Sequence, residues 1–177
     1  VETKRWWWPS IEQTCQLSFE QAAEKLRYLF LQSVRKQLRS DVPVGAALSG
    51  GLDSSAIVCA IRHLEPSFPI HTFSYTASGT VLDEAKWSQI VVDHVNAHAH
   101  QTSYSASQMG LDLDTIVASL GEPFGSTSIA AGYRVYQLAR EKGITVTLDG
   151  QGADELLAGY DGYPATRIQS YLDNKDY

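Results

Sequence analysis

Cysteine is scarce in this chain: Cys15 and Cys59 are the only two in 177 residues, and they show no metal-type spacing. Cys59 falls inside a helical pattern, where a buried, reduced thiol is expected. No apolar run approaches the roughly 20 residues that a membrane span needs. No signal-peptide pattern is visible at the start. Positive charge is also in short supply. Fourteen Lys and Arg face twenty Asp and Glu, a net charge of −6, which argues against a nucleic-acid surface. These shortages set the expectation of a cytoplasmic protein with neither membrane nor nucleic acid among its partners. No repeat or low-complexity segment appears. What is present is apolar content of 44%, enough for one sizeable core.

The chain is organised around Ser49-Gly50-Gly51-Leu52-Asp53-Ser54-Ser55. The apolar run Val44–Leu48 leads into it, and Ala56, Ile57, Ala60, Ile61 and Leu64 follow on a helical stripe. The order is strand, glycine turn, helix. Gly50 and Gly51 let the backbone turn sharply and lie open to a ligand. Amides at a helix start have no internal partner, so they attract an anion, usually phosphate. Asp53 should repel phosphate unless it holds a Mg²⁺ that bridges to the phosphate oxygens. The plainer alternative is a turn in which Asp53 or Ser54 caps the helix. The lysine of the usual Gly-x-x-x-x-Gly-Lys-Ser/Thr loop is missing. The heptapeptide instead resembles the Ser-Gly-Gly-x-Asp-Ser loop of the PP-loop ATP pyrophosphatases.

Taken in order, residues 1–17 carry Trp6, Trp7, Trp8 and Pro9 without periodicity, and read as an interface or as an arm between domains. Ser18 and Gln21 form a capping-box pattern ahead of a helix running to Arg39, with Ala22, Leu26, Leu29, Phe30, Val34 and Leu38 as its apolar stripe. After the glycine loop and its helix, Ile70–Tyr75 reads as a second strand and Thr76–Leu82 as a loop. Asp83 is expected to cap a helix that buries Trp87, Ile90, Val91 and Val95. His98–Tyr104 is a weak third strand. His94, His98 and His100 invite a metal reading, although no carboxylate or cysteine joins them; strand-surface histidines are the alternative. Ser105 with Gln108 caps a helix whose stripe is Met109, Leu113, Ile116, Val117 and Leu120. The polar loop Gly121–Ser128 follows, then a helix that Gly143 ends, then a buried strand Ile144–Leu148. Gly159 and a Gly162-Tyr163-Pro164 turn close the interpretable part. Strands alternate with helices throughout, so parallel pairing is expected.

A second glycine loop, Asp149-Gly150-Gln151-Gly152-Ala153-Asp154-Glu155, leaves the end of that last strand. It could merely turn the chain, with Asp154 as a cap. Paired with the first loop, it places a second carboxylate at a strand C-terminus, where ligands of such sheets sit. Asp53 and Asp154 can then clamp one Mg²⁺ on a pyrophosphate leaving group.

Asp41-Val42-Pro43-Val44-Gly45 before the heptapeptide, Glu122-Pro123-Phe124, and Gly150 through Tyr160 together resemble the synthetase domain of glutamine-dependent asparagine synthetases, over roughly residues 18–163. The resemblance implies an α/β, Rossmann-like parallel sheet of the adenine nucleotide alpha-hydrolase (PP-loop) fold, here an incomplete domain over 18–177 that residues 1–17 join as a linker or arm. Both ends look like cuts in a longer chain. In that family ATP adenylates a carboxylate, normally that of aspartate, and ammonia from a glutaminase domain displaces AMP. The resemblance places Leu48 and Tyr75 beside adenine and ribose. It places Ser49, Gly50, Gly51, Asp53 and Ser54 on the pyrophosphate, Asp149 and Gly150 at the nucleotide, and Mg²⁺ on Asp53 and Asp154.

The chain departs from the family at informative points. Gln151 stands where the family often has an acid tied to intermediate formation and ammonia attack, and Asp149 where it often has Ser. A lysine that reaches the pyrophosphate from well beyond the second loop has no counterpart here, so the isolated chain is expected to be inactive. Glu122 is a candidate to replace the acid; a loop residue bonded to nearby amides is the alternative. Three functions stay open: asparagine synthesis, with a homodimer of the full-length protein in view; amidation or cyclisation of another carboxylate such as a sugar acid; and non-catalytic nucleotide binding.

Overall fold

Ser18 starts the first helix by capping it in both directions. Its hydroxyl accepts the Gln21 N–H at 3.3 Å, and the Gln21 side chain accepts the Ser18 N–H at 3.0 Å. The resulting helix, α1, spans Phe19–Gln37. In the computed structural model, residues 2–8, 15–77, 79–80 and 83–175 are described. Parts of the expected 1–17 arm and 76–82 loop, and the last two residues of the expected domain, lie outside them.

Among the described residues, four strands form one parallel sheet in the order β3-β2-β1-β4. They are β1 (Val44–Ala47), β2 (His71–Tyr75), β3 (His98–Thr102) and β4 (Val146–Leu148). The chain lays β2 and β3 to one side of β1, then returns to place β4 on the other. That reversal makes the β1/β4 boundary the switch point of the sheet. The helices between strands are α2 (Leu52–Leu64), α3 (Ala85–Val95), α4 (Ala106–Leu120) and α5 (Thr127–Glu141). Beyond β4 come α6 (Ala153–Leu157) and α7 (Tyr163–Asn174).

Strand alternation divides the core between two faces. Val44, Ala46 and Leu48 meet Val58 and Ile61 of α2, Val92 and Val95 of α3 and Val34 of α1. On the opposite face Phe73 packs with Val135 and Ala139 of α5 and with Ile144. Phe73, Val58, Ile61 and Ile70 are essentially inaccessible. Each such side chain stabilises the fold by about 1.5–3 kcal/mol relative to exposure. No helix among the described residues is long and apolar enough to cross a membrane.

Several local expectations need correction. The buried stripe of α3 is Ser88, Val92 and Val95, whereas Trp87 and Ile90 are exposed. Val95 is buried as expected and Val91 is partly buried; Ser88 falls inside despite its polarity, because its hydroxyl bonds the Ala85 carbonyl at 3.0 Å. Asp83 does not occupy the cap position, which is Glu84; its carboxylate accepts the Ala85 N–H instead. Leu26 and Leu29 of α1, and Leu113 and Leu120 of α4, are also exposed. Gly162-Tyr163-Pro164, expected as a turn that closes the interpretable part, instead opens α7, with proline in the first turn where no N–H is needed.

The histidines group differently from the sequence expectation. His98 and His100 share a strand face, as the alternation predicts, but their third neighbour is His71 of β2 and not His94. His71 Nδ1 lies 3.0 Å from His100 Nε2, and the His71 and His98 rings are 5.0 Å apart. Burial holds the imidazoles of His71 and His100 below their usual pKa. His98 adds to this at His71; His71, Lys142 and His98 add to it at His100. The unfolded chain therefore binds more protons than the folded one once the pH drops below about 6.5. This contribution to stability is intact above that pH and is lost as the pH falls through the lower folded-state values. The melting temperature should fall between about pH 7.5 and pH 5.5, above the usual carboxylate range. In His100→Gln the fall should be smaller. An equal fall in both proteins would show that the cluster does not titrate against folding.

Candidate functional site

The first glycine loop connects β1 to α2 and caps α2 with no side chain. Gly51 is the N-cap and makes no side-chain cap bond, so neither Asp53 nor Ser54 serves as the cap. The first helical bond runs from the Ser55 N–H to the Gly51 carbonyl at 3.1 Å. The N–H groups of Leu52, Asp53 and Ser54 thus precede the helical ladder and have no intrahelical acceptor. Two hydroxyls brace the turn. Ser54 Oγ accepts the Ser49 N–H at 3.3 Å and donates to the Gly51 carbonyl at 3.3 Å. Ser49 Oγ accepts the Gly51 N–H at 3.2 Å and lies 3.1 Å from Ser54 Oγ.

Gly50 has φ +97°, and a Cβ there would lie 2.7 Å from the Ser88 nitrogen and 2.9 Å from Trp87 Cβ. Both the backbone conformation and the contact with α3 demand glycine. Glu84 at the start of α3 is brought to the same cavity by this contact.

The second loop rises from β4, which pairs with β1 in the register Ala46↔Leu148. The next residue, Asp149, is tied on both carboxylate oxygens. Oδ1 accepts the Ala47 N–H at 3.4 Å, and Oδ2 accepts the Tyr136 hydroxyl at 2.5 Å. Burial and the neighbouring Asp149 carboxylate push the Tyr136 hydroxyl up to about 12. A Cβ on Gly150 would sit 3.0 Å from both Asp53 Cβ and the Ser54 nitrogen, so the two loops touch. Gly152, at φ +91°, caps α6 without a side chain, and Asp154 does not act as a cap. The turn after α6 folds back so that Gly159 donates to the Asp154 carbonyl at 3.0 Å. A Cβ on Gly159 would collide with the Asp154 carboxylate, so the absence of one leaves room for that carboxylate. Tyr160 closes the turn with a 2.7 Å bond to Glu155, which pushes its own hydroxyl up to about 12.

Between the loops lies a cavity of about 400 Å³. Leu48, Ser49, Gly51, Asp53, Ser54, Tyr75, Asp149, Gly150, Gln151 and Asp154 all line it. Of the residues singled out in the sequence, Gly50 is turned toward α3 and Glu122 is not brought in. Glu122 is exposed in the bend between α4 and α5, outside the cavity lining. Tyr136, Gly132 and Glu84 line the cavity and were missed. Gly132 and Tyr136 stand four residues apart on one side of α5, a spacing visible in the sequence but carrying no chemical signature. Gln151 lies where three spaces meet. It borders the cavity between the loops, a space of about 570 Å³ between α4 and α5, and a mostly apolar groove of about 590 Å³ between α1, α2 and α6.

The donor set suits a hard divalent cation together with an anion. Mg²⁺ is commonly held by one or two carboxylates plus substrate phosphates, and Asp53 and Asp154 supply two oxygen donors at one cavity. The N–H groups of Leu52, Asp53 and Ser54, which precede the helical ladder, are donors that would suit the accompanying anion.

A family model described as asparagine synthase matches residues 25–175. The chain is 39% identical over 137 residues to a protein of Methanocaldococcus jannaschii that carries the name asparagine synthetase (glutamine-hydrolysing) 2, across 77% of this chain and 26% of that protein. It is 32% identical over 161 residues to asparagine synthetase 1 (glutamine-hydrolysing) of Bacillus subtilis, across 86% of this chain and 25% of that protein. The chain thus spans about a quarter of the length of the curated relatives it matches. Among solved structures, U34-tRNA thiolase NcsA of Methanococcus maripaludis superposes with a TM-score of 0.53 at 17% identity, covering 86% of this chain and 51% of that one. This is a likeness of fold, and the fold is the adenine nucleotide alpha-hydrolase (PP-loop) type.

Glycine at position 50 gives a direct test of the loop's construction. Gly50→Ala should lower stability by roughly 2–5 kcal/mol, combining left-handed strain with overpacking against α3. Gly110→Ala, within α4 and with open space around it, should instead stabilise by about 0.5–1 kcal/mol. Denaturant midpoints of the two variants measure both effects.

Proposed function

Because the chain belongs to the asparagine synthase family, we propose that it is the nucleotide-binding part of an ATP-dependent amide synthetase. The single observation that carries this reading is that two glycine loops, from adjacent strand ends, direct Asp53 and Asp154 into one cavity. In the proposed reaction a substrate carboxylate attacks the α-phosphorus of ATP, the bond to pyrophosphate breaks, and an acyl adenylate forms. An amine then attacks the acyl carbon, AMP leaves, and the amine proton passes to a base. Aspartate and glutamine-derived ammonia are the substrates suggested by the names of the relatives.

Each residue has a part in this proposal. The free N–H groups at the start of α2, with Ser49 and Ser54, bind the phosphates. Leu48 and Tyr75 bound the nucleoside, and Gly150 allows the second loop to close against the first. Asp53 and Asp154 would hold Mg²⁺, which when bound neutralises charge on the phosphate oxygens. The proton acceptor is the open position. Gln151 stands at the junction of the three spaces but has no acid to offer, and the exposed Glu122 is outside the cavity. That combination favours a second reading, in which the same chemistry serves a carboxylate other than aspartate.

Two variants test the proposal. Asp53→Asn should weaken Mg·ATP by about tenfold or more while leaving AMP nearly unchanged, since AMP lacks the bridged phosphates. Calorimetry with the two ligands decides, and an equal loss for both rules out the metal role. In the full-length protein, Gln151→Glu should keep or raise ammonia-dependent turnover with aspartate if aspartate is the substrate, because an acid there can accept a proton. If another carboxylate is used, the added charge should lower turnover with that substrate. Steady-state rates separate the two.

A further inference from the structure

Asp149 ties three elements of the site together. It directly follows β4, accepts the backbone N–H of Ala47 from β1, and accepts the Tyr136 hydroxyl from α5. The Tyr136 bond is the shorter of the two by a wide margin, 2.5 Å against 3.4 Å. One residue later, Gly150 lies close against Asp53 and Ser54, where a Cβ would stand 3.0 Å from Asp53 Cβ and from the Ser54 nitrogen. The second loop can therefore shift relative to the first only if Asp149 shifts too. Tyr136 is well placed to prevent that. Val135 beside it is buried with Phe73 in the core on that face of the sheet, so α5 provides a fixed post. Tyr136 also separates two spaces, since it lines both the cavity between the loops and the space between α4 and α5.

We propose that Tyr136 is a positioning residue: by donating to Asp149 it sets the distance between the two glycine loops, and with it the spacing of Asp53 and Asp154 across the cavity. The assignment rests on the nucleotide reading given above. Tyr136 is exposed and Asp149 half-buried, and the hydroxyl-to-carboxylate bond between them is of the charge-assisted kind. Its energy depends on distance and direction, so it holds the loop at one position where packing alone would allow sliding.

The test uses four forms of the full chain: the native protein, Tyr136→Phe, Asp149→Ser and the double variant. Tyr136→Phe removes one oxygen and leaves the packing of α5 in place. Its affinity for Mg·ATP should drop about tenfold with that for AMP nearly unchanged, because only the triphosphate uses both carboxylates. Amide hydrogen exchange at residues 149–155 should quicken, while exchange in α1 stays the same. The double variant should be no worse than Asp149→Ser alone, since a residue that acts through its partner has no effect once the partner is gone. Additive losses, equal losses for AMP and Mg·ATP, or unchanged exchange in the second loop would each overturn the assignment. If the native protein binds neither nucleotide, the functional reading fails. The exchange measurement still decides then whether Tyr136 holds the loop.

Discussion

The parallel pairing of β1 with β4 is the constraint on which the rest of the site depends. It brings together two segments that are far apart in sequence, and its Ala46↔Leu148 register makes both glycine loops leave the sheet at the same level. Closing so long a segment of chain is entropically costly. Burial on both faces of the sheet offsets that cost, through Ile61, Val58 and Ile70 on one side and Phe73 with α5 on the other. A one-residue slip of β4 would turn Leu148 out of the core and carry Asp154 away from Asp53. Core packing and site geometry are thus enforced by the same hydrogen-bond ladder.

The loops themselves trade local stability for access. Neither α2 nor α6 has a side-chain cap; the Ala153 N–H at the start of α6 bonds the Gly150 carbonyl at 3.4 Å, whereas the amides of Leu52, Asp53 and Ser54 at the start of α2 precede the helical ladder. The contacts that compensate lie just behind: the Ser49–Ser54 brace, the seating of Gly50 against α3, and the Asp149 bridge between β1, β4 and α5. Each uses a group too small, or a bond too directional, to be replaced by generic packing. The fold can then present unpaired donors and several carboxylates in one place without collapsing around them.

Much of this was legible in the chain. Ser18 with Gln21 and Ser105 with Gln108 announced their helices, because a capping box is satisfied within four residues and needs no tertiary partner. The strand–turn–helix reading of both glycine loops was correct for the same local reason. The stripes of α3 and α4 were less legible. Ser88 is buried and Trp87 exposed because the neighbouring strand and loop dictate which side of a short helix is covered. His71 was overlooked beside His98 and His100, since only the β2/β3 register makes them neighbours. Tyr136 carried no signal at all, because its partner belongs to another element.

Local pattern therefore decided where helices and strands begin, which turns require glycine, and which side chains could carry chemistry. Those properties depend on a few consecutive dihedrals and on hydrogen bonds that close within one turn. Tertiary structure decided which of the carboxylates share a cavity. Asp53, Asp149 and Asp154 line it, Glu84 joins them from α3, and Glu122 stays outside on the α4–α5 bend. Strand order and helix packing settle that choice, and both are set by the total apolar surface that the sheet buries on its two faces rather than by any residue near the site.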